Sequence, residues 1–313
     1  MKLLRATFLS IRGLPDMTCD FSRSPDVARD VVVVTGPPSS GKTRFLEALI
    51  AAKEVIAAYG APLASEPWIR PGDDAAKIEL TFQLDDDELR RLGGFSARVV
   101  KAEALFQDDG CFSEADEALV TLLETYTHDT KAGKFDYFPA NRSIPPPGAM
   151  HGLTSAEQRI YRLGRDVRKY SFVARQLFDL TLDAAKQARF NAALTALCPT
   201  VHYVAPSADE PLRCLSSKGG PPMMPSELST TEAEAVLFAA TEVMVRHDRS
   251  IVFVDRPELS ADERSIVGWV DALRGLSVDT QLFVATTSPA LHRATRWRRF
   301  SFTGRARPSG SRA

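Results

Sequence analysis

The sequence predicts an α/β protein with a mixed sheet at its core, an antiparallel β-subdomain on the N-terminal side and an inserted helical lobe. Two apolar runs favour this fold: Val31–Val34 precedes a Gly-containing loop and a helix, and Ile251–Asp255 ends in an acid. Between them, Lys77–Phe82 alternates apolar and polar side chains, as a half-buried antiparallel strand does. The chain has 313 residues and is 44% hydrophobic, enough to bury a sizeable core.

The other elements follow from periodicity and turn residues. A segment rich in proline and glycine, 205–225, is expected to form a mobile loop. Another helix should begin after Ser229, and the chain should close with a short helix and a strand. Strands are predicted at 2–14, 16–21, 77–82, 97–106, 135–139, 251–255 and 281–285, and helical stretches at 42–58, 113–126, 154–197 and 262–276.

Composition narrows the class of protein without naming a partner. The formal net charge is −1, so bulk electrostatics indicate neither a nucleic acid nor a membrane. Four scattered cysteines without metal-ligand spacing favour a reduced chain, and no apolar run approaches the ~20 residues of a membrane span. We therefore expect a cytoplasmic protein that does not enter a membrane.

The segment Gly36–Thr43 has the sequence GPPSSGKT and matches G-x-x-x-x-G-K-[ST], the P-loop. Backbone N–H groups of such a loop surround phosphate oxygens, and the following helix N-terminus adds partial positive charge. A turn that contains Lys-Thr by chance is the weaker explanation, because the strand, loop and helix are all present. The sequence thus predicts a nucleoside triphosphate site formed by Gly36, Ser39, Ser40, Gly41, Lys42 and Thr43, with Thr43 also on Mg²⁺.

The second half of such a site is an acid at the end of a buried strand, which makes Asp255 the candidate Mg²⁺ ligand. Alternatively, Asp255 only caps the next turn. Lys42 and Asp255 lie 213 positions apart (255 minus 42), more than a compact strand–helix–strand core needs. A large lobe must therefore be inserted between the two motifs.

With these motifs the chain resembles the ATP-binding-cassette ATPases of the RecF/SMC/OLD type, here as a stand-alone AAA domain without a coiled coil. Such proteins occur in DNA maintenance and phage defence. The resemblance covers most of the chain. It is carried by the opening strand pair Leu3–Phe21, Phe138–Arg142 (FPANR), the signature-like Leu228–Glu232 (LSTTE), Asp255–Leu259 (DRPEL), the D-loop position Ser260–Asp262 and the switch segment Ala285–Pro289 (ATTSP).

The resemblance implies a single ATPase domain that binds ATP and Mg²⁺. Its parts would be 1–112 (P-loop and antiparallel strands), 113–245 (helical lobe), 246–303 (Walker B and switch) and 304–313 (basic tail). It implies a homodimer or a heteromer, in which Ser229 of one subunit completes the ATP site of another. It also places Arg12, after the first strand, near bound nucleotide.

Four positions depart from the family pattern. Arg256 stands where the family has its catalytic Glu, Thr287 replaces the switch His, Thr231 replaces the signature Gly, and Pro38 lacks a backbone donor. The residues that would hold phosphate and Mg²⁺ remain. This pattern favours ATP binding that drives assembly over efficient hydrolysis, although Glu258 is a candidate replacement base.

Other interpretations stay open. The chain could be an active ATPase completed by a partner subunit, or a pseudo-ATPase with a structural role; the spacing and the LSTTE segment argue against an AAA+ ATPase. A nucleic-acid partner also stays open, because two basic clusters could contact phosphates. For both clusters a solvated surface is the alternative expectation: a helix end with a disordered tail for Arg293, Arg296, Arg298 and Arg299, and a helix face for Arg162, Arg165, Arg168 and Lys169.

Overall fold

The computed structural model describes residues 1–60, 62–93, 97–146, 155–207, 209–210, 212–294 and 296–302. The chain forms two compact units. The first comprises Met1–Glu124 and the described residues from Phe283 onward, and the second comprises Thr125–Leu282. The predicted basic tail, 304–313, lies outside the described residues. No helix among the residues described is long and apolar enough to cross a membrane.

The first unit contains an antiparallel sheet, a pair of parallel strands and one long helix. Its elements are β1 (Lys2–Leu9), β2 (Met17–Asp20), β3 (Ser22–Ser24), β4 (Val27–Ala28), β5 (Val31–Thr35), α1 (Lys42–Ile56), β6 (Ala75–Gln83), α2 (Asp86–Arg91), β7 (Val99–Gln107), β8 (Gly110–Ala115) and α3 (Glu117–Glu124).

The second unit is largely helical around a parallel strand pair, and the chain then returns to the first unit. The second unit holds β9 (Phe135–Phe138), α4 (Ser155–Tyr161), α5 (Phe172–Asp179), α6 (Ala184–Leu197), β10 (Val201–Tyr203), β11 (Leu215–Ser217), α7 (Thr230–Val245), β12 (Ile251–Asp255) and α8 (Ile266–Gly275). The last elements are β13 (Gln281–Thr286), α9 (Pro289–Arg293) and β14 (Arg298–Ser301).

The antiparallel sheet has the strand order β2-β1-β6-β7-β8. Along β6 and β7, buried and more exposed residues alternate, because successive side chains point to opposite faces. The covered face packs on α1, which contacts β7 and β8. Phe45 of α1 contacts the rings of Phe8 and Phe21, at centroid distances of 5.2 and 6.3 Å, and thereby joins the helix to this sheet's core.

Parallel strands support the two predicted motifs. In the first unit β14 pairs with β5 in parallel, and all five residues of β5 are buried. In the second unit β12 pairs with β9 in parallel, and every residue of both strands is buried. Burial on both faces explains the unbroken apolar runs in the sequence. The predicted α/β fold class, with an antiparallel subdomain beside parallel strands, is confirmed.

Several predicted elements are wrong in extent. The first strand ends at Leu9, where Ser10 takes a left-handed backbone (φ 55°), and not at residue 14. Residues 113–115 belong to strand β8, which pairs with β7, so the helix predicted over 113–126 begins only at Glu117. Asp116 ends the strand and starts this helix, since its carboxylate accepts the Ala118 N–H at 2.8 Å.

Two longer stretches also differ from their predictions. The continuous helical stretch 154–197 is three separate helices, and Asp183 starts the last of them by accepting the Lys186 N–H at 3.0 Å. The predicted loop 205–225 contains β11, which pairs antiparallel with β10. Apolar periodicity records neither the Asp183 cap that divides the helical stretch nor the strand pairing that orders the loop, so it misses both features.

Candidate nucleotide-binding site

The loop between β5 and α1 contains three residues with left-handed backbone: Gly36 (φ 149°), Ser39 (φ 61°) and Gly41 (φ 102°). A Cβ atom on Gly36 would lie 2.4 Å from the Phe302 carbonyl oxygen and 2.7 Å from Ser40 Oγ. Only glycine fits there. Ser39 adopts its conformation despite a side chain, and strain of this kind is concentrated at binding sites.

Lys42 and Ser40 give the loop the chemistry of an anion site. The Lys42 side chain is buried, and its Nζ donates to the carbonyl oxygens of Gly36 and Pro37 at 2.8 and 2.7 Å. Ser40 Oγ is buried and has no hydrogen-bond partner among the described residues. Since buried polar atoms are nearly always satisfied, an unpartnered hydroxyl beside a buried ammonium fits a phosphate oxygen. Thr43 follows in the first turn of α1.

Arg12 lies in a turn that contacts this loop. A Cβ on Gly41 would be 3.1 Å from the Gly13 carbonyl oxygen, and Arg44 Nε donates to the Arg12 carbonyl at 2.9 Å. Arg12 and Ser40 line one cleft of about 970 Å³, large enough for a ligand of nucleotide size. Its other lining residues include Leu14, Met17, Arg70, Phe300 and Phe302.

Thr35, which directly precedes the loop, holds the nearby elements together. Its hydroxyl lies 3.1 Å from Ser301 Oγ on β14 and 3.1 Å from His292 Nδ1 on α9. His292 was not among the predicted site residues, because five positions separate it from Thr287, where the family pattern has its histidine. The structure therefore brings a histidine to the end of β5.

In the second unit, the signature-like segment forms the start of α7. Ser229 caps this helix, since its Oγ accepts the Glu232 backbone N–H at 3.4 Å, and the Glu232 carboxylate in turn accepts the Ser229 N–H at 3.0 Å. Ser229, Thr230 and Thr231 are exposed in the isolated chain. With Ser229 engaged by Glu232, the exposed residues Thr230 and Thr231 of this helix start can face another molecule.

Asp255 is buried at the C-terminal end of β12, where the Walker B prediction needs it. Arg256 follows with a left-handed backbone (φ 55°), and its side chain is 54% exposed. Glu258 is 18% exposed, and its Oε1 lies 3.9 Å from Arg256 Nε. The predicted residues of this segment are thus placed together in the second unit, while those of the P-loop are placed together in the first.

Arg142 is a residue whose importance the sequence did not indicate beyond its place in the FPANR segment. Its guanidinium is buried and pairs with Glu234 Oε2 on α7 through Nη2 at 2.7 Å. It also donates to the carbonyl oxygens of Asp255, at 2.7 Å, and Arg256, at 3.2 Å, and to Ser260 Oγ, at 2.9 Å. One side chain thereby contacts the C-terminal end of β12, the turn that follows it and helix α7.

The expectation that 162–169 forms a solvated basic face is wrong for two of its four cations. Arg162 and Lys169 are fully buried. Arg162 Nε lies 2.8 Å from Asp136 Oδ1 on β9, and Asp136 Oδ2 lies 2.6 Å from His247 Nε2. Lys169 Nζ donates to the carbonyl oxygens of Tyr137, Arg162 and Gly164. A buried carboxylate on β9 needs such partners, and apolar periodicity cannot reveal them.

The buried acid Asp136, on β9, and the buried base His247, just after α7, shift each other's pKa. Burial would lower the pKa of His247, but the charge of Glu242 and the hydrogen bond that the ring donates to Asp136 outweigh it and raise the pKa to about 9. Burial would raise the pKa of Asp136, but Arg162 and His247 lower it to about 2. His247 is therefore charged at neutral pH and links Asp136 to Glu242.

The C-terminal basic cluster also differs from expectation. Arg298 and Arg299 lie on β14 and not on a helix end. Arg298 Nε donates to the Asp20 carbonyl at 3.0 Å, and Arg299 donates to the His292 carbonyl. These two arginines therefore anchor the strand beside β5.

No protein-family model matches this sequence, and no curated protein matches it either. Among solved structures the chain is similar to the SmcHead bound to the C-winged helix domain of ScpA, with 14% identity, a TM-score of 0.56, and coverage of 92% of this chain and 90% of that chain. The chain has the fold of an SMC head. A second similar structure is the Smc head domain with an extended coiled coil bound to the C-terminal domain of ScpA derived from Pyrococcus furiosus. It is 12% identical with a TM-score of 0.55, covering 93% of this chain and 90% of that one.

Proposed function

We propose that this chain binds ATP–Mg²⁺ and uses the bound nucleotide to assemble with a second copy of itself or with a related subunit. The observation that carries the proposal is the loop Gly36–Thr43. It combines left-handed glycines, a buried Lys42 ammonium and a buried Ser40 hydroxyl that has no hydrogen-bond partner in the part of the chain that the structure describes. These groups suit phosphate oxygens, and the adjoining cleft suits the rest of a nucleotide.

The proposed ligands follow the motifs. Backbone N–H groups of Gly36, Ser39, Ser40 and Gly41 would cradle the phosphates, Lys42 would neutralise the outer ones, and Arg12 would approach the nucleotide through the cleft that it lines. Thr43 and Asp255 are the proposed Mg²⁺ ligands, because a hydroxyl and a carboxylate are oxygen donors of the kind that Mg²⁺ prefers. The metal would neutralise charge on the phosphate oxygens.

We propose that hydrolysis is slow or does not occur in the isolated chain. A water that attacks the terminal phosphate needs an acceptor to orient it, and the Arg256 guanidinium has only donors. Glu258 supports a second candidate function, an active ATPase, because its carboxylate lies in the same turn, 3.9 Å from Arg256 Nε. In that case Glu258, or a partner subunit, would supply the base.

Assembly is proposed from the exposed start of α7 and from the fold. Ser229 and the two threonines after it are exposed in the isolated chain and point to a surface that a partner covers. The solved SMC heads of the same fold are bound to domains of ScpA, which supports a partner protein for this chain as well. A structural pseudo-ATPase would keep the exposed start of α7 as its partner surface but would have no productive cycle of ATP binding and hydrolysis.

A cytoplasmic role in DNA maintenance or phage defence is proposed by the resemblance alone. Nucleic acid is a candidate partner in such a role. Two arginines of the C-terminal basic cluster, Arg298 and Arg299, donate to backbone carbonyls of this chain instead. Binding of duplex DNA in the presence and absence of ATP tests that part directly.

One experiment tests the proposal. The purified chain is incubated with ATP–Mg²⁺, and retained nucleotide, released phosphate and molecular mass are measured on the same sample. We expect retained ATP, a larger mass and turnover well below the ~1 s⁻¹ low end of ordinary enzymes. Rapid phosphate release would favour the active ATPase, and a chain that retains no nucleotide would contradict the proposal.

A further inference from the structure

One buried guanidinium in the second unit contacts four separate segments. Arg142 Nε and Nη2 donate to Glu234 Oε2, at 3.1 and 2.7 Å, and Nη1 donates to the carbonyl oxygens of Pro139 and Asp255, at 3.1 and 2.7 Å. Nη2 also donates to the Arg256 carbonyl and to Ser260 Oγ. All three nitrogens of Arg142 are thus engaged, with side chains and backbone alike.

The carboxylate of Glu234 completes this arrangement, which we call the Arg142 cluster: Arg142, Glu234, Ser260 and the carbonyls of Asp255 and Arg256. Ser260 donates its hydroxyl proton to Glu234 Oε2, and Arg142 donates to the same oxygen. The Arg142 guanidinium also lies 5.3 Å from the ring centroid of Phe238, one turn further along α7. Charge is balanced within the cluster, which a buried guanidinium requires.

The cluster joins two segments that a nucleotide cycle would have to coordinate. Glu234 lies five positions after Ser229, on the same continuous helix, so a displacement of the exposed helix start moves Glu234 with it. Ser260 and the carbonyls of Asp255 and Arg256 belong to the turn after β12. The left-handed Arg256 backbone is held there because its carbonyl oxygen accepts both Arg142 Nη2 and the Leu259 N–H, the latter at 3.1 Å.

We propose that Arg142 is a positioning residue that couples the start of α7 to the Asp255–Ser260 turn. Docking of a partner on Ser229 is transmitted through Glu234 and Arg142 to the backbone that carries Asp255 and Arg256. The role in a nucleotide cycle rests on the proposed function, but the coupling itself is a property of the chain without nucleotide. Lysine cannot replace Arg142, because an ammonium carries three donors on one nitrogen, whereas the planar guanidinium reaches five acceptors from three nitrogens.

The test is residue-resolved amide hydrogen exchange on the nucleotide-free chain, comparing wild type with Ser260→Ala and Arg142→Lys. Two amides report on the two segments: Leu259, whose N–H donates to the Arg256 carbonyl, and Ala233, whose N–H donates to the Ser229 carbonyl at 2.8 Å. Ser260→Ala removes one hydroxyl and leaves the ion pair intact, so it is the variant that should fold normally. Ser250→Ala is the matched control, since Ser250 is equally buried in the same unit but accepts the Lys134 N–H, outside the cluster.

In Ser260→Ala we expect amide exchange at both Leu259 and Ala233 to accelerate about fivefold, which corresponds to the loss of one hydrogen bond. In Arg142→Lys the acceleration at both amides should be larger. The Ile251 amide, which donates to the Lys134 carbonyl at 2.8 Å, should keep its wild-type rate. Ser250→Ala should leave Leu259 and Ala233 unchanged. Acceleration at Leu259 alone, no change at either amide, or a uniform rise that includes Ile251 would overturn the coupling.

A second arm with ATP–Mg²⁺ separates this inference from the proposed function. In wild type, both reporter amides should gain protection together when ATP is added, whereas in Ser260→Ala the two should respond independently. A wild type that does not respond to ATP would contradict the proposed function, while the nucleotide-free comparison would still decide the coupling.

Discussion

Arg256 decides the expected chemistry at the scale of single residues. Its side chain is half exposed and carries donors that suit phosphate oxygens, so we expect it to add to ATP affinity without supplying an acceptor for the attacking water. An arginine can also stabilise charge during phosphoryl transfer, so only kinetics separate the two roles. We expect Arg256→Glu to lower the affinity for retained ATP roughly tenfold, because it removes one or two charge-assisted hydrogen bonds.

The measurement is nucleotide retention and phosphate release by Arg256→Glu, with Arg264→Glu as the control. Arg264 is also exposed and lies eight positions further along (264 minus 256), so it carries the same charge change outside the turn. Arg264→Glu should retain ATP as wild type does. To restore hydrolysis, the Arg256→Glu variant should need Thr287→His as well. If wild type hydrolyses ATP and Arg256→Glu abolishes this activity, Arg256 is instead a catalytic residue.

His247 gives the second unit a pH-dependent stability. Its pKa rises from 6.5 to about 9 on folding, so its contribution to the free energy of unfolding is fully present below pH 6.5 and is lost as the pH rises towards 9. The unfolding free energy of wild type minus that of His247→Gln should therefore shrink over this range, by about 2 kcal/mol. Burial lowers the pKa of Lys134 to about 8; this lysine is present in both proteins, so its contribution largely cancels in the difference.

Chemical denaturation at a series of pH values between 6.5 and 9 measures this difference. His202→Gln is the control for the exchange of a histidine for glutamine, because His202 is exposed on β10. A His247→Gln difference that stays constant across the range would show that His247 is not charged between Asp136 and Glu242.

At the scale of elements, the P-loop and its helix could be predicted because their determinants are local. Four β-branched residues, a glycine that needs left-handed backbone and an apolar stripe on α1 all lie within one stretch of sequence. The strand at 113–115 could not be predicted in the same way, since its place in the sheet depends on pairing with β7. Nor could the burial of Arg162 and Lys169, whose partners lie on β9 and in nearby backbone carbonyls.

The loop geometry leads to a prediction about Gly36. In Gly36→Ala the new Cβ would meet the Phe302 carbonyl oxygen at 2.4 Å, and alanine is strained at φ 149°. We expect lower stability and at least about a tenfold loss of ATP affinity, since the whole cradle must shift. Thermal unfolding and calorimetry measure the two effects.

Gly268→Ala is the matched control for this change. Gly268 lies in α8, where an added Cβ meets nothing within 4 Å, so alanine should stabilise the protein by roughly 0.5–1 kcal/mol and leave ATP binding unchanged. If Gly36→Ala behaved like Gly268→Ala, the left-handed conformation of the loop would have no role in binding.

For the whole molecule, the central expectation is assembly that depends on ATP. Ser229→Arg places a long cation on the exposed start of α7 and should block the approach of a partner by size and charge. The variant keeps Lys42. Mass measurements with and without ATP–Mg²⁺ test this, with Ser24→Arg on exposed β3 as the control. We expect an ATP-dependent increase in mass for Ser24→Arg and none for Ser229→Arg. An unchanged increase in Ser229→Arg would place the partner surface elsewhere.

The fold of the whole chain follows from the order and spacing of motifs, and the SMC-head likeness agrees with it. The Arg142 cluster does not follow from them. Its members lie far apart in sequence, from Arg142 to Ser260, and only the folded second unit brings them within hydrogen-bond distance. A sequence motif can name the ligands of a phosphate, but it does not record which buried cation holds the backbone behind them.

The most direct test of the account is the affinity of ATP–Mg²⁺ for wild type and Lys42→Ala, measured by titration calorimetry on folded protein. Removing the ammonium that is proposed to meet the outer phosphates costs a charge-assisted contact of roughly 1.5–3 kcal/mol, so affinity should fall at least about tenfold while the protein stays folded. Equal affinity in wild type and Lys42→Ala, or no binding by folded wild type, would contradict nucleotide binding at this loop.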